Sequence, residues 1–212
     1  MKTALIAGST GLIGSQLLTL LLKNPDYVKV IALTRVDLAP HPKLTQIKVE
    51  FGNLGENSSA LKADDVFCCL GTTMAKAGSK ENFYQVDFYY PFLLAKTTRS
   101  VGAKKFMLVS ALGANKSSSI YYNQVKGEIE EAISSVAFDA VHIFRPSLLL
   151  GPRSEKRSAE DAAKFFYKVF GFLIPKKYKA IQSVKVARAM QHFAAEDKKG
   201  IFIHESADLQ RF

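Results

Sequence analysis

The sequence predicts an α/β chain, a doubly wound parallel sheet with a small C-terminal capping region, on three observations. Short runs rich in Val, Ile and Leu alternate with segments whose apolar residues recur at helical spacing. These runs are nearly continuous, the pattern of strands buried on both faces. The first run ends in a glycine loop, Gly8-Ser9-Thr10-Gly11-Leu12-Ile13-Gly14, that opens a helix. The 212 residues suit one domain, 1–212, with the cap from about residue 148 onward.

Each element has its own signal. Thr3–Ala7 is an apolar run that stops at Gly8, a buried first strand. Leu12–Leu22 has helical spacing and ends near Asn24-Pro25, where proline cannot continue a helix. Val28–Leu33, Gln46–Phe51 and Asp65–Leu70 give the next three strands, the last closed by Gly71. Glu81–Val101 predicts a long helix with a kink at Pro91. Lys105–Val109 is the fifth strand. Tyr122–Val136 is the next helix, with Glu128, Glu130 and Glu131 placed on its wet side. Ala140–Phe144 is the sixth strand, closed by Arg145-Pro146. Beyond Leu148 the pattern loosens into an aromatic-rich helix over Ala159–Phe172, a helix over Ser183–Ala195 and a short strand over Gly200–His204. This tail is expected over the carboxyl ends of the strands, where such folds bind ligands.

Composition narrows the function classes. At 48% hydrophobic the chain can bury a full core. No apolar run is long enough to span a bilayer, since Leu17–Leu22 is far too short. Met1-Lys2 leads straight into a strand instead of a signal peptide, so a cytoplasmic protein is expected. Cys68 and Cys69 are adjacent in a strand and point to opposite faces, which suits buried thiols in a reducing compartment. His41, His142, His192 and His204 have no metal-ligand spacing, and no metal is expected. The net charge is +10. Arg153, Lys156, Arg157, Lys164, Lys168, Lys176, Lys177, Lys179, Lys185 and Arg188 are spread among acids and apolar residues. They read as a solvated surface, and the lack of a recognised motif argues against nucleic-acid binding. The aromatics Phe165, Phe166, Tyr167, Phe170 and Phe172 are expected to pack on the core, with a substrate cap or dimer contact as the alternative.

The glycine loop points to a dinucleotide. Gly8 allows a tight turn, Gly11 lets the backbone approach a pyrophosphate, and Gly14 lets helix and strand pack closely. The helix N-terminus adds free N–H groups and a positive dipole. Arg35 lies 21 residues after Gly14, near the place where NAD enzymes carry an acid for the ribose hydroxyls. A guanidinium there pairs with a 2′-phosphate, so NADP is favoured over NAD. Asp37 follows closely and keeps NAD open.

Tyr122 and Lys126 are four residues apart on a predicted helix and share a face. A cation beside a phenol stabilises its phenolate, so Tyr122 can exchange a proton with a carbonyl or alcohol oxygen. Lys126 also reaches toward the ribose of a bound nicotinamide nucleotide. Tyr121 falls on another face. Ser110 ends the fifth strand, where its hydroxyl can orient a substrate oxygen or satisfy local backbone groups.

Together these motifs resemble the short-chain dehydrogenase/reductase superfamily, in its atypical or extended branch. The segments Cys69-Leu70-Gly71-Thr72-Thr73, Val86-Asp87 and Ser110-Ala111-Leu112-Gly113-Ala114, with Tyr122 to Gly127, more narrowly resemble the Tat-interacting-protein-like NAD(P)-binding oxidoreductases. The resemblance implies that Asn53 and Leu54 lie by the adenine. It places Leu70, Gly71 and Thr72 by the adenosine ribose and pyrophosphate, and Pro146 by the nicotinamide. It implies an NADP-dependent oxidoreductase acting on a small carbonyl or alcohol, with Ser110, Tyr122 and Lys126 as the catalytic group. Ala111 departs from the pair of serines common in relatives, which leaves open a non-catalytic NADP-binding module that signals to a protein partner. A homodimer is also open.

Overall fold

Strand β1 (Lys2–Ala7) is central because Ala4, Leu5, Ile6 and Ala7 are all fully buried. The computed structural model describes residues 1–151 and 178–212. After β1 come α1 (Leu12–Lys23), β2 (Tyr27–Thr34), β3 (Leu44–Lys48), a 3-10 stretch (Phe51–Leu61) and β4 (Asp65–Cys68). Then come α2 (Met74–Ala77), α3 (Lys80–Tyr84), a π-helical turn (Gln85–Tyr89) and α4 (Tyr90–Ser100). β5 (Lys105–Val109), α5 (Tyr121–Ser134) and β6 (Ala140–Arg145) follow. The chain closes with a ribbon of β7 (Leu149–Leu150) and β8 (Ile181–Gln182), α6 (Ser183–Ala195), β9 (Gly200–Glu205) and α7 (Ser206–Leu209).

The main sheet has the order β3-β2-β1-β4-β5-β6-β9, and every pair is parallel. Successive side chains on a strand point to opposite faces, so the two cores separate by alternation. Leu5 and Ala7 join Ile31, Leu33, Leu94 and Ile129 on the face covered by α4 and α5. Ala4 and Ile6 join Leu17, Leu21, Val186 and Met190 on the face covered by α1 and α6. Each large aliphatic side chain buried this way contributes roughly 1.5–3 kcal/mol against exposure.

Four expectations change in detail. The third strand ends at Lys48, and Phe51, Leu54 and Leu61 turn into the core from the 3-10 stretch. The long helix expected over Glu81–Val101 runs without interruption from Lys80 to Ser100, but it widens into a π turn over Gln85–Tyr89 just before Pro91. Pro91 has no N–H to give the carbonyl of residue 87, four positions back, and the ladder widens at that point. The end of the expected cap joins the layers of the main sheet. α6 packs on α1, and β9 extends the sheet beside β6, so Ser183–Leu209 completes the fold instead of lying over the strand ends. The predicted helix Ala159–Phe172, with its aromatics and the cations from Arg153 to Lys177, lies outside the described residues. Finally, Glu130 is buried and is not on the wet side of its helix.

β9 sets His204 beside the buried His142 of β6. His142 Nδ1 and His204 Nε2 are 3.0 Å apart, stacked beside Phe193 and Phe202. Burial is the main reason both are pushed from 6.5 to about 4, and His204 and Lys105 add to it for His142. Glu196, Lys198, Asp208 and Arg211 complete the surrounding charges. Both rings are therefore neutral in the fold at pH 6, while the unfolded chain binds protons there. Stability from this pair is full above pH 6.5 and is lost as pH falls toward 4. Thermal unfolding across that window should show a falling midpoint, and His142→Phe should flatten the slope. An unchanged slope in the variant would show that the pair contributes nothing.

Candidate functional site

The glycine loop follows β1 and meets the loop after β4 backbone to backbone. Gly8 has φ +81°, and a Cβ there would lie 2.5 Å from the carbonyl oxygen of Cys69. A Cβ on Gly14 would lie 2.0 Å from the carbonyl oxygen of Gly8. Only hydrogen at both places lets α1 start this close to the sheet. The Gly11 amide donates to Gly8 O at 3.0 Å and closes the turn. Strand order reverses here between β1 and β4, and the crevice at such a switch point is where open α/β sheets bind ligands.

A cleft of about 560 Å³ opens at that point. Thr10, Gly11, Leu12 and Ile13 line one wall, and Cys69, Leu70, Gly71, Thr72 and Thr73 line another. Ser110, Tyr122 and Lys126 complete the inner end, with Asp87, Val109 and Ser147 to Leu149 beside them. The residues present fit a dinucleotide. The α1 N-terminus offers its first amides to an anion. Ser9 is buried behind this wall, and its hydroxyl has no hydrogen-bond partner among the described residues.

Tyr122 and Lys126 come together as their spacing predicts. Tyr122 packs on Phe83 with ring centroids 5.5 Å apart and faces the cleft. Tyr121 turns away and donates to the Lys80 carbonyl. Lys126 is buried, and its Nζ lies 2.8 Å from Asp87 Oδ1. Asp87 Oδ2 accepts from the Thr72 amide at 2.8 Å. Burial pushes Lys126 toward losing its proton, but Asp87, and after it Tyr122, more than offset this and hold it above the usual lysine range.

Ser110 is at the inner end, but its hydroxyl donates to Glu130 Oε1 at 2.5 Å. Arg145 grips the same carboxylate through Nε at 3.0 Å and Nη2 at 2.5 Å, and reaches Glu205 through Nη1 at 3.0 Å. Ala111, the next residue, is buried and offers no hydroxyl.

The other expected contacts divide. Leu70, Gly71 and Thr72 border the cleft. Gly8, Ser9 and Gly14 shape the loop behind its wall. Arg35 is exposed just past the end of β2. Asn53 is exposed, and Leu54 is packed in the core. Pro146 is buried, with its carbonyl accepting from the Leu112 amide, while Ser147 and Leu148 reach the cleft. Sequence reasoning gave no role to Asp87, Glu130 or Arg145. The signal for Asp87 was an acid set among Phe83, Tyr84, Phe88 and Tyr89, four residues before a proline.

A model of the NAD dependent epimerase/dehydratase family matches residues 4–169. The chain belongs to that family. It is 39% identical over 194 residues to Protein HTATIP2 of Rattus norvegicus, covering 89% of this chain and 79% of that one. It is 36% identical over 179 residues to Protein fmp52, mitochondrial, of Emericella nidulans, covering 81% and 77%. In fold it is similar to the Bordetella bronchiseptica enzyme WbmH in complex with NAD+, with TM-score 0.73, 17% identity and coverage of 97% and 76%. A UDP-N-acetylglucosamine 4-epimerase from Methanobrevibacter ruminantium gives TM-score 0.71 at 19% identity, covering 96% and 76%. Membership makes this epimerase/dehydratase-family chain a nucleotide-binding protein of the oxidoreductase and epimerase type. Among the described residues no helix is long and apolar enough to cross a membrane.

The loop geometry predicts that Gly14→Ala, by forcing α1 off the sheet, weakens NAD(H) binding by about tenfold or more and lowers the unfolding temperature. Calorimetric titration and thermal unfolding check both. Unchanged affinity would show that the loop does not hold the ligand.

Proposed function

We propose that the protein is an NADP-dependent oxidoreductase of the short-chain dehydrogenase type, acting on the carbonyl or alcohol of a small molecule. The observation that carries this is Tyr122 and Lys126 on one wall of the glycine-loop cleft. Bound NADP would accept or supply the hydride at its nicotinamide. The protein supplies position and a proton. The Tyr122 hydroxyl gives its proton to a substrate oxygen on reduction and takes it back on oxidation. Lys126 holds the ribose and keeps a positive charge near the phenol. Ser110 would orient the substrate oxygen once its hydroxyl leaves Glu130. Thr10 to Ile13 and Leu70 to Thr72 would hold the pyrophosphate and adenosine.

Arg35 supports NADP over NAD, since an exposed guanidinium past β2 can pair bidentately with a 2′-phosphate. The NAD complexes solved for chains of similar fold make this a choice to be measured. A second reading, an NADP-binding module without turnover that acts through a protein partner, is favoured by Ala111 and by the engagement of Ser110 with Glu130. We also propose that the chain is cytoplasmic, and the mitochondrial fungal relative makes fractionation of the tagged chain the test.

Titration should give NADPH about tenfold or more tighter than NADH, with Arg35→Ala erasing the difference. Equal affinities in the parent chain would return the cofactor to NAD. In a screen of aldehydes and ketones, Tyr122→Phe should lose about a hundredfold or more in kcat/KM with NADPH affinity intact. Tight NADPH binding with no turnover across the screen would favour the module.

A further inference from the structure

We propose that the outer edge of β9 is a docking surface for a second copy of this chain, which adds its own β9 antiparallel about a two-fold axis at Phe202. Among the described residues no strand lies beyond β9 in the main sheet. The Gly200 amide donates to the Asp139 carbonyl, so Gly200, Phe202 and His204 bond toward β6. Ile201 and Ile203 alternate with them and turn their N–H and C=O groups to the open edge. Phe202 and His204 stack with His142 and Phe193 on the α6 face. The side chains of Ile201 and Ile203 therefore point to the α5 face, beside buried Val141 and Ile143, and are 54% and 49% exposed.

An edge strand that stays in water is normally blunted by prolines, charges or a covering segment. The opposite edge, β3, has these devices. Pro40 and Pro42 precede it, and the Gln46 side-chain amide is tied to the Leu38 backbone through both its groups. β9 carries no proline and no Lys, Arg, Asp or Glu from Gly200 to His204. Its sequence is instead complementary to itself. With Phe202 opposite the partner's Phe202, Ile201 stands opposite the partner's Ile203, and Lys199 opposite the partner's Glu205. Both isoleucines present their backbone groups outward, so each such pair can exchange both bonds of an antiparallel ladder. A slip of two residues either way sets an isoleucine against Glu205 or Lys199. A slip of one sets outward groups against inward ones. The matched register extends the apolar row of Val141 and Ile201 across the axis and brings an exposed lysine to the Arg145–Glu205 pair.

A contact built on one short strand is small, so micromolar association is expected. Sedimentation of the full chain at about 0.15 M salt, where its net charge of +10 is screened beyond about 8 Å, tests it. The mass should rise from monomer to dimer between about 1 and 100 μM. Ile203→Lys should stay monomeric, with its unfolding midpoint within about 2 °C of the parent because the side chain is half exposed. Cysteine cross-linking reads the register. Residues 201 and 203 of opposite chains would lie about 5.5 Å apart between Cα atoms, within disulfide reach, whereas 201 to 201 or 203 to 203 would be roughly 9 Å. A mixture of Ile201→Cys and Ile203→Cys chains should therefore form the cross-linked dimer, and each variant alone should not. A parent that stays monomeric throughout overturns the proposal and leaves the edge to a strand of another protein. Dimerisation of Ile203→Lys at the parent's affinity, or cross-linking of either variant alone as readily as the mixture, overturns it equally. If Ile203→Lys does not fold, the cysteine mixture decides.

Discussion

Everything in the site depends on how closely three backbone segments approach one another at Gly8. The end of β1, the start of α1 and the end of β4 meet where a single added carbon would fall within 2.5 Å of a carbonyl oxygen. That contact sets the distance between α1 and the sheet, and so aims the helix amides at the crevice. It also sets where the chain after β4 leaves the sheet, and thereby where Leu70, Gly71 and Thr72 can stand. A wider approach would leave the same residues in the same order without a common cleft.

The inner end of the cleft is held differently, by polar bonds along one face of α5. Tyr122, Lys126 and Glu130 follow one another at four-residue spacing. Lys126 is tied to Asp87 in the π turn, and Glu130 to Arg145 at the end of β6. A buried ion pair is a weak source of net stability, but removing one partner costs about 3–5 kcal/mol because the other charge stays buried alone. The arrangement therefore fixes orientation more than it adds stability. α5 is pinned at one level to the helix before it and at the next to the strand after it, which holds Tyr122 in register with both walls.

The fold was legible because it is written in local patterns. Near-continuous apolar strands, the glycine loop and the four-residue spacing of Tyr122 and Lys126 each need only a short window of sequence. What was missed depends on partners distant in the chain. Glu130 looks solvated beside Glu128 and Glu131, yet it shares the inner face with Lys126, and its partner Arg145 lies on another element. Lys105 looks like one more surface cation in a basic chain, yet its Nζ donates to the carbonyls of Ala194 and Glu196 at the end of α6. Leu54, beside the adenine in the family resemblance, packs into the core from the 3-10 stretch. The tail after Ser183 was read as a lid because its pattern is irregular, whereas β9 joins the sheet through a register that no local signal reveals.

The same long-range pairing bears on the chemistry. The sequence offers Ser110 as a free hydroxyl at the end of a strand, but the fold gives that hydroxyl a carboxylate acceptor, which arginine in turn grips. A hydroxyl that donates to a carboxylate has only lone pairs left for a second partner. In this state Ser110 can accept from a substrate alcohol but cannot donate to a substrate carbonyl. Tyr122 is then the one hydroxyl among the described cleft residues with both the position and the neighbouring cation to deliver a proton. Reduction would lean on Tyr122 alone, while oxidation would have two groups to receive an alcohol. In the oxidoreductase we propose, the balance between the two directions would thus be tied to a carboxylate and a guanidinium on the far side of Ser110.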